Sequence, residues 1–206
     1  MKIAILLGSS RTGRQSHKIA HYLEAQLALR NVHTDLIDLG RNATQTAGLT
    51  AADALPWEEA GAMSARIQAA DALMLVTPEY HGSFSGVIKN ALDNLGTELY
   101  RKPVGVVAVS SGKMGGLHAI AQLQHVVLHM GGFALPAKLL VPDVQTSFDE
   151  EGALVNERTV KSAGRFLDEY LWLSEAIADH KEKQKEKEKQ KDKEGGRKLE
   201  QKMSEK

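Results

Sequence analysis

Short apolar runs alternate along the chain with longer segments whose apolar residues recur every three or four positions. KIAILLG (2–8) is almost wholly apolar and ends on glycine, which predicts a strand buried on both faces. HKIAHYLEAQLALR (17–30) carries Ile19, Leu23 and Leu27 at helical spacing. VHTDLIDL (32–39) predicts a strand whose polar residues suit an edge position, 40–56 a loop, and WEEAGAMSARIQAA (57–70) a helix despite Gly61. The alternation continues with a buried strand in DALMLVTP (71–78), a helix in SGVIKNALDNLG (85–96) and a buried strand in KPVGVVAVSS (102–111). A helix closed by two glycines follows in GLHAIAQLQHVVLHMGG (116–132), then a short last strand in ALPAKLLVPD (134–143). Residues 144–155 have no period, and NERTVKSAGRFLDEYLWLSEAIADH (156–180) predicts a final amphipathic helix.

Five apolar strands separated by helices imply an α/β domain, its parallel sheet covered on both faces. In such sheets ligands sit beyond the carboxyl ends of the strands. Three loops rich in small residues each follow an apolar strand: GSSRTGRQS (8–16), TPEYHGSFSG (77–86) and SSGKMGG (110–116). They are expected to meet at one rim.

The first loop has the chemistry of an anion site. Ser9, Ser10, Thr12 and Ser16 offer hydroxyls, Arg11 or Arg14 a positive charge, and the helix starting at Gln15–His17 its free N–H groups. The alternative is a plain strand–helix turn with Ser16 as N-cap. Known phosphate motifs do not match. Ser10 replaces the second glycine of GxGxxG, and Arg14–Gln15 replace the Lys–Ser/Thr of the P-loop. Phe84 stands where GxSxG needs serine. In the second loop Pro78 stiffens the strand exit, Tyr80 offers a flat face, and Gly82 and Gly86 permit close backbone approach, all of which suits a planar ring. In the third, Ser110, Ser111 and Gly112, then Gly115 and Gly116, present backbone donors to a polar ring edge.

GSSRTGRQS, PEYHGSFSGVIKNALD and SSGKMGG, in that order, resemble the NADPH-dependent FMN reductase family, which includes quinone, azo-dye and chromate reductases. The resemblance spans about residues 1–178. It implies a flavodoxin-like three-layer sandwich with a five-stranded parallel sheet of order 2-1-3-4-5. FMN would lie at the switch point between strands one and three. It also implies an oxidoreductase that passes hydride from NADPH or NADH to FMN N5 and then reduces a small-molecule acceptor, a quinone or an azo compound. Ser9, Arg11 and Ser16 match the phosphate positions, Pro78, Glu79, Tyr80 and His81 the segment beside the isoalloxazine, and Ser111, Gly112 and Gly115 the loop near its pyrimidine edge. No side chain is expected to act as nucleophile or metal ligand. The sequence departs from many relatives at His81, often asparagine, at Ser85, often proline, and at His17, commonly asparagine. The family implies a homodimer or homotetramer. Other functions consistent with flavin binding are an electron-transfer flavoprotein and a non-catalytic sensor whose tail recruits a partner.

Composition narrows this further. The 206 residues are 42% hydrophobic, enough for one substantial core plus an appendage. There is no cysteine, so disulfides, thiolate metal sites and cysteine nucleophiles are excluded, and a cytoplasmic location fits. The zero net charge divides into a body of −3 and a segment from Asp179 to Lys206 of +3, with 11 basic and 8 acidic side chains. An acidic body argues against nucleic acid as partner, and no apolar run is long enough for membrane insertion. Residues 179–206 are expected to form a charged tail, disordered or a solvated helix, outside the 1–178 domain. Glu79 has two readings, an ion pair across a subunit boundary or solvent. Lys89 and Asp93 are spaced as a surface pair, Trp57 and Trp172 as core or interface anchors, and His118, His125 and His129 as a polar flank.

Overall fold

The computed structural model describes residues 1–40 and 57–204, the side chains of 57–61 and 190–204 excepted. The loop expected over 40–56 therefore lies, from residue 41 on, outside the described residues, as does the side chain of Trp57.

Chain order is β1 (Lys2–Leu7), α1 (Ser16–Ala28), β2 (His33–Asp38), α2 (Trp57–Gln68), β3 (Ala72–Tyr80), β4 (Ser83–Phe84), α3 (Gly86–Asp93), β5 (Pro103–Val109), α4 (Leu117–His129), β6 (Phe133–Ala134), β7 (Leu139–Val141) and α5 (Glu157–Ser204). The sheet runs β2-β1-β3-β5-β6, every neighbour parallel. β7 also pairs parallel with β5, opposite Val107 to Val109, so β6 and β7 are two halves of one interrupted strand. The expected order 2-1-3-4-5 is therefore present, with its fifth strand broken. The two-residue β4 is an addition, folding back antiparallel on the end of β3.

Strand periodicity sorts the core into two layers. Ile3, Ile5 and Leu7 of β1 face Ile19, Leu23 and Leu27 of α1 and Phe166 and Tyr170 of α5. Ala4 and Leu6 face the other way, toward Met63 and Ile67 of α2, Ile88 of α3 and Ile120 of α4. Phe166 and Tyr170 stack with ring centroids 6.0 Å apart and lie on β5 over Gly105, where a Cβ would come within 2.9 Å of the Phe166 ring. α5 does not stop near residue 180 but continues to Ser204. Trp172, on its outer face, is 70% exposed and is no core anchor. Lys89 and Asp93 form the expected i,i+4 pair at 2.7 Å. No helix among the described residues is long and apolar enough to cross a membrane.

Among the described residues, one cation is buried. Lys102, just before β5, donates from Nζ to the carbonyl of Ile67 at 3.0 Å and to that of Ala70. It thus closes the carbonyl end of α2, where positive charge is favoured. Burial, with a smaller push from the charge on Lys181, lowers its pKa from 10.5 to about 8, against the opposing pull of Asp71 and Glu98. The unfolded chain then holds one more proton than the folded one between these two values, so this group makes stability rise with pH across that window. Comparing urea midpoints of the wild type and Lys102→Met at several pH values isolates the effect. The wild type should gain roughly 1–3 kcal/mol relative to the variant between about pH 7 and 10, and a flat difference would contradict the burial.

Candidate functional site

The carboxyl ends of β1, β3 and β5 carry the three predicted loops, and the chain leaves β1 toward β2 on one side and β3 toward β5 on the other. A cleft of about 310 Å³ opens at this divergence. The first loop lines it from Ser9 through Arg11, Thr12 and Gly13 to Ser16, the second through Pro78, Glu79 and Tyr80, and the third through Ser110 and Ser111. Val144 and Gln145 close it. They fall in the stretch without a period and carried no signal in sequence.

Next to the cleft-lining residues Ser9 and Pro78 lies a knot of buried hydroxyls. Ser85 caps α3, its Oγ accepting from the Ile88 amide at 3.3 Å and donating to the Gly8 carbonyl at 2.5 Å. The Ser85 amide donates to Thr77 Oγ1 at 3.0 Å, and Thr77 donates to the Pro78 carbonyl. The last residue of the β1 run and the exit of β3 are thereby locked to one helix start. A proline at position 85 would supply neither the amide nor the hydroxyl. Gly8 must be glycine for the same reason, since a Cβ would collide with the Ile88 side chain.

Ser16 sits differently. It is the first residue of α1, 1% exposed, and its Oγ finds no hydrogen-bond partner among the described residues. The N-cap of α1 is Gln15 rather than Ser16, without a side-chain cap, and the first turn has no acidic residue. A buried hydroxyl without a partner is costly. Here it stands at a helix start with unopposed positive potential, beside the cleft. The adjoining His17 has a buried Nδ1, and burial followed by the Arg14 charge lowers its pKa below 6.5. A phosphate ester fits this donor set.

Tyr80 forms the opposite wall. Its hydroxyl is 3.3 Å from Ser9 Oγ, and the Arg11 guanidinium lies over its ring, 3.6 Å from the centroid. Arg14 is engaged elsewhere, with Asp38. Within the chain the Glu79 carboxylate has backbone partners rather than standing free in solvent. Its Oε2 accepts from the amides of His118 and Ala119 at 3.1 and 3.2 Å, so a carboxylate from the end of β3 caps α4. Gly116, the N-cap of α4, has φ 93° and no side chain to do this itself, and a Cβ there would strike Ala108.

Three predicted site residues stand outside the cleft wall. His81 and Gly82 form the two-residue turn between β3 and β4, with φ of 51° and 73°. Both central residues of such a hairpin need positive φ, and asparagine and histidine tolerate it better than most residues. The exchange of asparagine for His81 thus preserves the turn. Gly112 continues the Ser110–Ser111 loop beyond the wall. Gly115, φ 62°, packs that loop against β7 and the following turn, where a Cβ would lie 3.0 Å from Leu140 and from the Pro142 nitrogen.

Residues 1–146 match the family model described as NADPH-dependent FMN reductase. The chain is 31% identical over 158 residues to the FMN-dependent NADPH-azoreductase of Staphylococcus haemolyticus, covering 75% of this chain and 84% of that protein. A Staphylococcus aureus enzyme of the same description is 29% identical over 157 residues, covering 74% and 83%. Among solved structures, the flavoenzyme NAD(P)H:(acceptor) oxidoreductase FerB from Paracoccus denitrificans superposes with a TM-score of 0.68 at 28% identity, over 84% of this chain and 97% of that one.

Ser16→Ala should have opposite effects on two measurements. Removing an orphaned hydroxyl leaves the flavin-free protein as stable or more stable by up to about 1 kcal/mol. FMN affinity, read by fluorescence quenching, should fall about tenfold. Loss of stability without loss of affinity would reduce Ser16 to a packing residue. Glu79→Ala should lower stability by about 1 kcal/mol through the lost α4 cap, with Glu79→Gln less affected because it keeps an acceptor oxygen.

Proposed function

The chain belongs to the NADPH-dependent FMN reductase family, and on that premise we propose that it holds FMN in the rim cleft and reduces azo compounds and quinones with it. The activity class is that of an FMN-dependent NAD(P)H oxidoreductase. The observation that carries the assignment of the cleft is the buried, partnerless Ser16 hydroxyl at the uncapped start of α1, facing Tyr80 across the switch point.

When bound, FMN would supply the hydride chemistry that links NAD(P)H to the acceptor. The protein's part is to bind, orient and polarise. In this reading Ser9, Arg11 and Ser16 hold the phosphate together with amides at the start of α1. Arg11 sits over the Tyr80 ring, its Cζ 3.6 Å from the centroid, and in this reading its N–H donors would reach a phosphate oxygen. Backbone groups of Pro78, Glu79, Tyr80 and His81 run along the ring. Ser111, on the cleft wall, would offer the polar end of the ring a backbone donor, where preorganised donors favour negative charge, while the Gly112 amide shapes the loop by donating to Ser110 Oγ at 3.1 Å. No side chain is required as a nucleophile. The exposed apolar side chains of Tyr100, Leu128 and Phe133 supply surface for the homodimer or homotetramer that the family resemblance suggests. A cytoplasmic site of action completes the proposal.

The absorption spectrum of the purified protein tests it. The protein should be yellow or become so with added FMN. Anaerobic NADPH should bleach the colour within a turnover, and an azo dye or a quinone should restore it. A preparation that takes up no FMN at millimolar concentration overturns the reading. Normal uptake without bleaching turns it toward a carrier or sensor.

A further inference from the structure

Arg14 and Asp38 lie 24 residues apart, one in the loop after β1 and the other at the end of β2, yet they meet as a two-pronged pair. Nη1 is 2.5 Å from Oδ1 and Nη2 2.5 Å from Oδ2, with side chains only 18% and 13% exposed. The same Nη1 donates to the carbonyl of Ser9 at 2.6 Å, and the same Oδ1 accepts the Gly40 amide at 2.9 Å. One guanidinium thus ties the phosphate-side loop at both ends of Ser9–Arg14 to the carboxyl end of the neighbouring strand. The packing allows nothing larger than hydrogen at Gly40, where a Cβ would strike Arg14 Nη1 and the Ser9 carbonyl. Hydrogen bonding to Asp38 raises the Arg14 pKa, so the pair remains ionised.

Electrostatics alone argues against this arrangement beside an anion site. Asp38 places a fixed negative charge one guanidinium away from a loop that takes a phosphate dianion, and it draws off the positive charge of Arg14. What the pair supplies is geometry. The fork holds the loop so that Ser9, Arg11 and the start of α1 converge before any ligand arrives, and preorganised sites avoid the ordering cost of binding.

We propose that Arg14 and Asp38 are a positioning pair that presets the phosphate loop and so makes the site prefer FMN to riboflavin. This rests on the FMN reading above and adds to it the residues that set the preference. The isoalloxazine contacts lie on other loops, so a disturbed clamp should weaken binding of the phosphorylated flavin selectively.

The test is titration of the full-length, flavin-stripped protein with FMN and with riboflavin. Asp38→Asn removes a negative charge near the phosphate. As mere electrostatics this would tighten FMN, whereas as a broken clamp it weakens FMN about tenfold or more with less than about a threefold change for riboflavin. Gly40→Ala wedges the same clamp open without altering any charge, and should give the same selective loss. Arg14→Lys keeps the charge but not the fork, and should not preserve the wild-type ratio. Tighter or unchanged FMN binding in Asp38→Asn, or an equal loss for both flavins in a folded variant, overturns the inference. So does a folded Arg14→Lys protein with the wild-type ratio. A wild-type protein that binds neither flavin would instead overturn the FMN reading, and this inference with it.

Discussion

Burial of the central strands on both faces is the constraint from which the site follows. Ile3 to Leu7, Ala72 to Val76 and Val106 to Ala108 have essentially no exposed surface. A side chain that must meet solvent or a polar ligand has no place along these strands. Polar chemistry is therefore displaced to the strand ends, where the divergence of the chain between β1 and β3 opens a crevice. The position of the cleft depends on the winding of the sheet and not on any single loop.

The rim is polar but not loosely so. Thr77 and Ser85 are almost completely buried and hydrogen-bonded, as buried hydroxyls must be. They fix the ends of β1 and β3 relative to α3. Against that background the partnerless hydroxyl of Ser16 stands out, because neighbouring groups of the same chemistry are satisfied within the protein. Arg14 and Asp38 extend the same rigidity outward to β2. The Ser9–Arg14 loop is thereby tied at both ends.

Much of this was legible in the sequence, because strand and helix periods and the three small-residue loops are local signals. That both faces of the sheet are covered follows from apolar runs such as KIAILL, which have no polar face. What escaped depends on partners distant in the chain. Glu79 reaches amides 39 and 40 residues away, and no pattern around PEY announces a helix cap. Arg14 looked as fit for a phosphate as Arg11 until Asp38 was brought beside it by the pairing of β1 with β2. Val144 and Gln145 lie in a segment whose path is set by its anchoring, with the Val144 amide on the Ser110 carbonyl. The break between β6 and β7 hid the fifth strand's true length inside one apolar run.

Besides α3, which Ser85 caps, α1 and α4 present their amino ends to this rim, and the treatment of these two differs. α4 receives the carboxylate of Glu79, which satisfies two amides and offsets the positive end of its dipole. α1 receives no side-chain cap and no acidic residue in its first turn, and it carries the unsatisfied Ser16. A dianionic group entering the cleft is thus drawn toward α1, and the α4 side is left to a group of lower charge. A molecule with a phosphate at one end and a flat heterocycle at the other can satisfy both ends in only one orientation. In the proposed reading, that orientation would set the heterocycle along Tyr80 and toward the Ser110–Gly116 loop. The order of the three loops along the rim, and the single carboxylate that caps one helix and not the other, together give the site its polarity.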